Sequence, residues 1–244
     1  MTETTDVCIV GGGVAGLTAG TFTARHGLET TVLSDGESLL RRNGHLENVP
    51  GFPAGVNSRL FLDMLADQAE RAGCAFREGE VIEVSVDEEG FAVETAAGEQ
   101  FWADYVVAAT KNEVDYLRGI DGVGFVDRGK TYVDTDERGR TGVDGLYAAG
   151  RLAEKPHQTA VCAGHGAEVG VTLLEEDDRP FYHDWVAPEG YFTGRGRDVP
   201  PGCEEIDDEE RREREHESMD AMRTYFEEPH PDAPTQHPSV ADED

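Results

Sequence analysis

Apolar positions fall in short blocks whose period changes along the chain. Val7 to Val10 form a continuous apolar run that stops at Gly11, Gly12 and Gly13, which predicts a buried parallel strand entering a tight turn. Residues 14–26, rich in alanine and leucine, predict a helix, and Thr30 to Leu33 a second buried strand. Strand, helix and strand within about 30 residues make one right-handed βαβ unit. Residues 35–56 carry too many glycines and prolines for a helix and read as a long structured loop. Asn57 is placed to cap a helix over about 58–72, with Leu60, Phe61, Met64, Leu65 and Ala69 on one face.

From residue 80 the period shortens to two. Val81–Val86, Phe91–Thr95 and Gln100–Trp102 predict an antiparallel meander, and Tyr105–Ala109 another buried strand. Residues 111–130 are poorly patterned. Thr131–Asp134 and Leu146–Ala149 read as two more strands, and Gln158–Leu174 as a glycine-containing helix. The chain from Glu175 onward holds 23 acids against seven bases. Its stretch 204–227 predicts an acidic helix, and 229–244 a disordered, proline-containing acidic tail. The expected organisation is therefore a domain over 1–175, a partly helical docking extension over 176–228, and that tail.

Charge narrows the function. Acids outnumber bases 51 to 21, for a formal net charge of −30. A polyanion would be repelled, so nucleic acid is excluded as an expected partner, and anionic membrane surfaces are disfavoured. No apolar run approaches the roughly 18 residues of a bilayer span, and the first residues lack a basic and then apolar leader, so a cytoplasmic protein is expected. Only three lysines stand beside 18 arginines. Such an acid-rich, lysine-poor surface resembles that of proteins from salt-loving organisms, where a Debye length of about 3 Å in molar salt screens the self-repulsion. Cys8, Cys74, Cys162 and Cys203 include no Cys-x-x-Cys pair, which offers neither a zinc site nor a local redox dithiol.

The chemistry begins at Gly11-Gly12-Gly13-Val14-Ala15-Gly16, a Gly-x-Gly-x-x-Gly between a strand and a helix. In that context Gly11 permits the turn, Gly13 lets a diphosphate approach the backbone, and Gly16 lets helix and strand pack closely. The helix start at Val14 and Ala15 offers bare N–H groups to the diphosphate. A carboxylate at the end of the second strand binds adenosine ribose in such sites. Ser34 and Asp35 both stand at the right distance, and Asp35 has the better chemistry.

Three segments in order carry a family resemblance. His45-Leu46-Glu47-Asn48-Val49-Pro50-Gly51-Phe52-Pro53 resembles the Glu-Asn-x-Pro-Gly-Phe-Pro loop of thioredoxin reductases and related flavoproteins. Gly145-Leu146-Tyr147-Ala148-Ala149-Gly150 resembles that family's second FAD motif, and His157-Gln158-Thr159-Ala160 its following helix start. The resemblance covers about residues 5–175. It implies an α/β fold, the three-layer FAD/NAD(P)-binding Rossmann-like domain with a β-meander, here followed by an acidic C-terminal extension. It implies bound FAD, contacted by Gly11, Gly13, Val14, Ala15, Gly16, Ser34, Asp35, Asn48, Gly150, Arg151, Gln158 and Thr159.

The departures are as informative. The family inserts an NAD(P)H domain carrying a redox Cys-x-x-Cys where this sequence has only residues 111–130. That stretch is too short for a βαβ unit of about 30 residues. Lys111 replaces a family glycine, and Arg151 an aspartate that bonds the ribityl chain. The arginine either adds a cation for the diphosphate or a flavin carbonyl, or weakens FAD binding. His157, His165 and Cys162 surround the expected flavin helix. The expected function is an FAD-dependent oxidoreductase that draws electrons from NAD(P)H as a transient donor or from a redox-protein partner, as a monomer or homodimer. The rival expectation is a non-catalytic FAD-binding or assembly protein. The aromatic islands Tyr182–Trp185 and Tyr191–Phe192 are expected to make residues 176–203 pack on the domain, or on a symmetry mate in a homodimer, and help shield the cofactor.

Overall fold

The computed structural model of the chain describes residues 2–87 and 90–236. In chain order the elements are β1 (Thr2–Val10), α1 (Val14–Arg25), β2 (Thr30–Ser34), α2 (Ser58–Ala72), β3 (Ala75–Glu78), β4 (Val81–Asp87), β5 (Gly90–Thr95), β6 (Gln100–Ala108), β7 (Phe125–Asp127), β8 (Thr131–Val133), β9 (Leu146–Ala148), α3 (Thr159–Glu176), β10 (Trp185–Pro188), β11 (Cys203–Ile206) and α4 (Asp208–Phe226).

The main sheet runs β3-β2-β1-β6-β5-β4, with β9 also on β6. Strands β3, β2, β1, β6 and β9 are mutually parallel, whereas β4, β5 and β6 form the antiparallel meander. The arrangement follows from β6. Its whole length pairs with β1, Thr2–Val10 against Gln100–Ala108. On its other edge, Gln100–Ala103 pair with β5 and Val106–Ala108 with β9. Sequence patterning divides this segment at the exposed Asp104; the structure corrects that to one continuous nine-residue strand.

Alternation along β1 explains the layers. Cys8 and Val10 face a core shared with Val84, Phe91, Val93 and Phe101 of the meander. Val7 and Ile9 face the other way, into a core with Leu17, Ala19, Val169 and Leu173 of α1 and α3. Meander, parallel sheet and helices are thus three layers, the α/β fold read from the sequence. Helices α1 and α3 approach closely because α3 presents glycines to α1. A Cβ at Gly166 would stand 2.2 Å from the Ala15 carbonyl oxygen, and one at Gly170 2.9 Å from Phe22 Cβ.

Between β6 and β9 lie a single 3-10 turn, Asp115–Leu117, and the β7–β8 hairpin. No second nucleotide-binding unit stands there. Strands β3, β7, β10 and β11 were not legible in the pattern, and β11 takes the first residues of the acidic helix expected over 204–227, which starts at Asp208. The acidic segment after α3 starts at the carboxyl end of α1: Arg25 bonds Asp184 at 2.5 and 2.6 Å, Arg179 bonds Asp6 at 3.1 and 3.2 Å, and Phe181 packs on the helix-side core. Trp185, Tyr191 and Phe192 then stack edge-to-face on one another, with Arg195 over the Tyr191 ring. The Glu205 carboxylate closes the β10–β11 connection by accepting from the backbone N–H groups of Gly190, Phe192 and Thr193 and from the Thr193 hydroxyl.

The end of α4 and the chain after it return to α2. Tyr225 bonds Asp67, His230 bonds Asp63 at 2.9 Å, and Asp232 lies 3.7 Å from Arg41. Within residues 229–236, part of the tail expected to be disordered, His230 and Asp232 pair with Asp63 of α2 and Arg41 of the turn before it. The remainder of that expected tail, 237–244, lies outside the described residues. No described helix is long and apolar enough to cross a membrane.

Candidate functional site

A cleft of about 990 Å³ opens at the carboxyl ends of β1, β2 and β6, where α1 and α3 begin. Open α/β sheets bind ligands at this end of the strands, because the helix N-termini converge there. The glycine turn forms its floor. Gly11 holds φ +114°, and a Cβ there would lie 2.7 Å from the Ala109 carbonyl oxygen, so both conformation and β6 require glycine. Gly13 differs. Its φ of −89° and ψ of −176° suit any residue, and a Cβ would meet only Ser38 Oγ at 3.8 Å. Nothing in the chain itself needs a glycine at 13; the space above it belongs to the cleft.

The helix starts support the same point. Helix α1 begins at Gly13 with no side-chain cap and no acid in its first turn, and α3 begins at Gln158 in the same condition. Both cap residues line the cleft. Their first N–H groups and the positive ends of both dipoles remain available for an anion or a polar ring edge.

Ten of the twelve predicted site residues line this one cleft: Gly11, Gly13, Val14, Ala15, Ser34, Asp35, Asn48, Arg151, Gln158 and Thr159. Asn48 and Gln158 are joined through Nδ2 to Oε1 at 2.8 Å, which ties the proline-containing loop to the start of α3. Ser34 sits against the turn, with its Oγ 2.9 Å from where a Gly12 Cβ would be, while Asp35 lies farther out and exposed. Arg151 is half-buried; its Nη2 donates to the Tyr132 hydroxyl at 2.6 Å and Nη1 to the Lys155 carbonyl at 3.2 Å.

Gly16 and Gly150 stand behind the cleft rather than in its lining. A Cβ at Gly16 would fall 2.0 Å from the Gly11 carbonyl oxygen, so this glycine lets α1 sit on the turn. Gly150 has φ +65° and abuts Ala15, with its N–H donated to His165 Nδ1 at 2.9 Å. His165 is buried, and burial lowers its pKa to about 4, which keeps the ring neutral as that acceptor. It supports the site from behind. His157 and Cys162 do line the cleft. Burial, with Arg151, Lys111 and Lys130 nearby, lowers the His157 pKa, and burial raises that of the Cys162 thiol, so Cys162 is not an activated thiolate. All four cysteines are free.

Sequence reasoning missed part of the wall. Leu39, Leu40 and Asn43 come from the turn after β2, and Gly79–Ile82 from the start of the meander. The turn is held by the buried Arg59, whose Nη1 donates to the carbonyls of Arg41 at 3.0 Å and Asn43 at 2.8 Å. Lys111, with φ +67°, also reaches the cleft; a left-handed backbone at this position fits the glycine found there in the resembling family. Within the single chain, no described residue after Cys162 lines the cleft, and residues 176–203 dock at the opposite end of α1.

Residues 6–46 match the FAD binding domain family. The thioredoxin reductase of Aquifex aeolicus is 31% identical over 134 residues, 50% of this chain and 42% of its own length. The ferredoxin–NADP reductase of Levilactobacillus brevis is 31% identical over 187 residues, 72% of this chain and 51% of its own. The chain thus spans about half or less of these relatives. Among solved structures, the thioredoxin reductase of Gloeobacter violaceus superposes with a TM-score of 0.65 at 18% identity, covering 72% of this chain and 97% of that one. The ferredoxin-flavin thioredoxin reductase of Clostridium acetobutylicum gives 0.62 at 15%, covering 72% and 99%.

The chain resembles thioredoxin reductases and related flavoproteins in part of its sequence and in its fold. Its described residues form one nucleotide-binding unit with a meander, and include neither a second such unit nor a paired dithiol.

Proposed function

We propose that the chain is an FAD-dependent oxidoreductase in which a single domain holds the flavin. The observation that carries this is Gly13 at an uncapped helix start: no protein atom needs the missing Cβ, and a diphosphate does. The diphosphate would lie over Gly11–Gly13 and the first turn of α1 (Val14, Ala15). The adenosine ribose would meet Ser34 or Asp35, and the isoalloxazine would extend toward Asn48, Arg151, Gln158 and Thr159. A bound flavin supplies the redox chemistry, and the protein orients and tunes it. At the flavin end, α3 directs its positive dipole end inward and the Asn48–Gln158 bond fixes the loop beside it. Electrons would come from NAD(P)H acting directly at the flavin, or from a redox-protein partner.

One observation favours the alternative, a non-catalytic FAD-binding or assembly role: the relatives' reductase activity belongs to chains about twice the matched length, and no dithiol is available here. Colour separates the two. The purified chain is expected to be yellow and to bleach under anaerobic conditions with NADH, NADPH or a reduced electron carrier. A colourless protein with no affinity for added FAD would refute the reading, and a yellow protein that none of these reduces would favour the alternative.

A further inference from the structure

Across most of the surface, basic side chains are answered by carboxylates, as Arg25 is by Asp184, Arg138 by Glu175 and Arg179 by Asp6. One end of the cleft gathers several bases that have no carboxylate partner. Arg42, Lys111 and Lys130 form no ion pair among the described residues, and Arg151 gives its guanidinium to a tyrosine hydroxyl and a backbone carbonyl. They stand together: Arg42 adjoins the cleft residue Asn43, and Lys130 lies two residues before Tyr132, whose hydroxyl accepts from Arg151. Behind burial, Lys130, Arg42 and Arg151 each depress the Lys111 pKa, opposed by Glu113 alone, and His157 feels Arg151, Lys111 and Lys130 with no acid in return. A chain with 51 acids and 21 bases has carboxylates to spare, yet it leaves these cations unmatched. Two of its three lysines are among them.

The group has depth. Lys111 and Arg151 line the cleft, whereas Arg42 and Lys130 stand exposed outside it. A nucleotide diphosphate inside the cleft reaches only the inner pair. An acidic protein face spans both, and a surface of net charge −30 repels such a protein everywhere else. We propose that Arg42, Lys111, Lys130 and Arg151 form the docking rim for an acidic one-electron carrier protein, seated over the flavin end of the cleft. This rests on the FAD reading above. Two reduced carriers would each lose one electron in turn, and with two protons from water these complete the two-electron reduction of one flavin.

The test is binding by the full-length chain of an acidic [2Fe–2S] ferredoxin, with a basic c-type cytochrome as the opposite-charge control. Arg42 and Lys130 are the positions to reverse, since both are exposed and neither makes an ion pair. Arg42→Glu with Lys130→Glu is expected to weaken ferredoxin binding about tenfold or more, to leave or tighten cytochrome binding, and to preserve flavin content and melting temperature. The milder Arg42→Gln with Lys130→Gln should lose part of the affinity, and added salt should weaken the wild-type complex. A wild-type chain that does not bind the ferredoxin, or reversed and wild-type chains that bind it equally, would overturn the proposal. Reduction by NADPH without ferredoxin binding would overturn it and leave the flavin reading standing. A colourless chain whose ferredoxin binding still depends on the rim would support the docking surface and sink the flavin reading instead.

Discussion

Helices α1 and α3 begin differently from α2 and α4. At α2, Asn57 Oδ1 accepts from the N–H groups of Arg59 and Leu60, and at α4, Asp207 Oδ1 accepts from Glu209 and Glu210, with acids filling the first turn. These are self-sufficient starts. At α1 and α3 the cap positions are Gly13 and Gln158, and neither side chain caps; Gln158 is turned to Asn48. The same sequence thus closes the helix starts that do not line the cleft and leaves open the two that do. Bare helix N-termini need partners, and under the proposed function the bound cofactor would supply them here.

Supplying the missing cap should break the contrast with the largest effect. Gly13→Asp places an acceptor and a negative charge at the start of α1, on a backbone that tolerates any residue and with no contact closer than 3.8 Å. The cofactor-free protein is expected to melt at or above the wild-type temperature, whereas FAD affinity falls at least about a hundredfold, since carboxylate and diphosphate would share one site. Absorbance after gel filtration with excess FAD reads the second quantity. Retained flavin would move the site elsewhere, and an unfolded variant would make Gly13 a structural glycine. Gly166→Val is the counter-case: its Cβ meets the Ala15 backbone, so stability should drop whether or not FAD is present.

What the sequence made legible is local. The run Val7–Val10 followed by three glycines announces strand, turn and helix start within one stretch, and all three stand as read. Long-range facts were hidden. β3 is an edge strand whose one large apolar residue, Phe76, is 38% exposed, and its Arg77 and Glu78 hide the pattern. The cleft wall from Leu39, Leu40 and Val81 is assembled by tertiary packing that no spacing encodes. Gly16 and Gly150 were legible as glycines of a site, but whether a glycine faces a ligand or a neighbouring helix depends on which atoms surround it. The open cap at Gln158 was equally invisible, because only the structure shows its side chain committed to Asn48.

Acid should sharpen the comparison behind α3. His165 accepts the Gly150 N–H only when Nδ1 is unprotonated, and burial brings its pKa from the ordinary 6.5 down to about 4. The unfolded chain therefore binds this proton more readily than the folded one. The stability contribution is full above about pH 6.5 and is lost as pH falls toward 4, by about 3 kcal/mol at most. Denaturant titrations at fixed salt should show this loss in the wild-type chain and a shallower one in His165→Asn. His26, whose pKa burial also lowers, adds its own acid sensitivity to both proteins, so the difference between them is the quantity to read. Equal slopes from pH 6.5 to 4 would mean that His165 does not need to be neutral to hold Gly150.

The smallest effect belongs to the closed helix starts. Asn57→Ala removes the oxygen that answers two N–H groups of α2, and the cost is expected to be about 1 kcal/mol, within the range of other cap deletions. Because Asn57 does not line the cleft, flavin affinity should stay at the wild-type value. Asp207→Ala should cost global stability less. Helix α4 buries none of its residues, so losing its cap frays an exposed helix rather than loosening the core, and the change should register in helical circular dichroism before it registers in the melting temperature. Together with Gly13→Asp these two variants form a crossed set: a cap removed where the chain supplies one lowers stability and spares the ligand, and a cap added where the chain withholds one spares stability and expels it. Flavin loss in Asn57→Ala at unchanged stability would show that a capped helix start also serves the cofactor, and the division between open and closed ends would no longer mark the site.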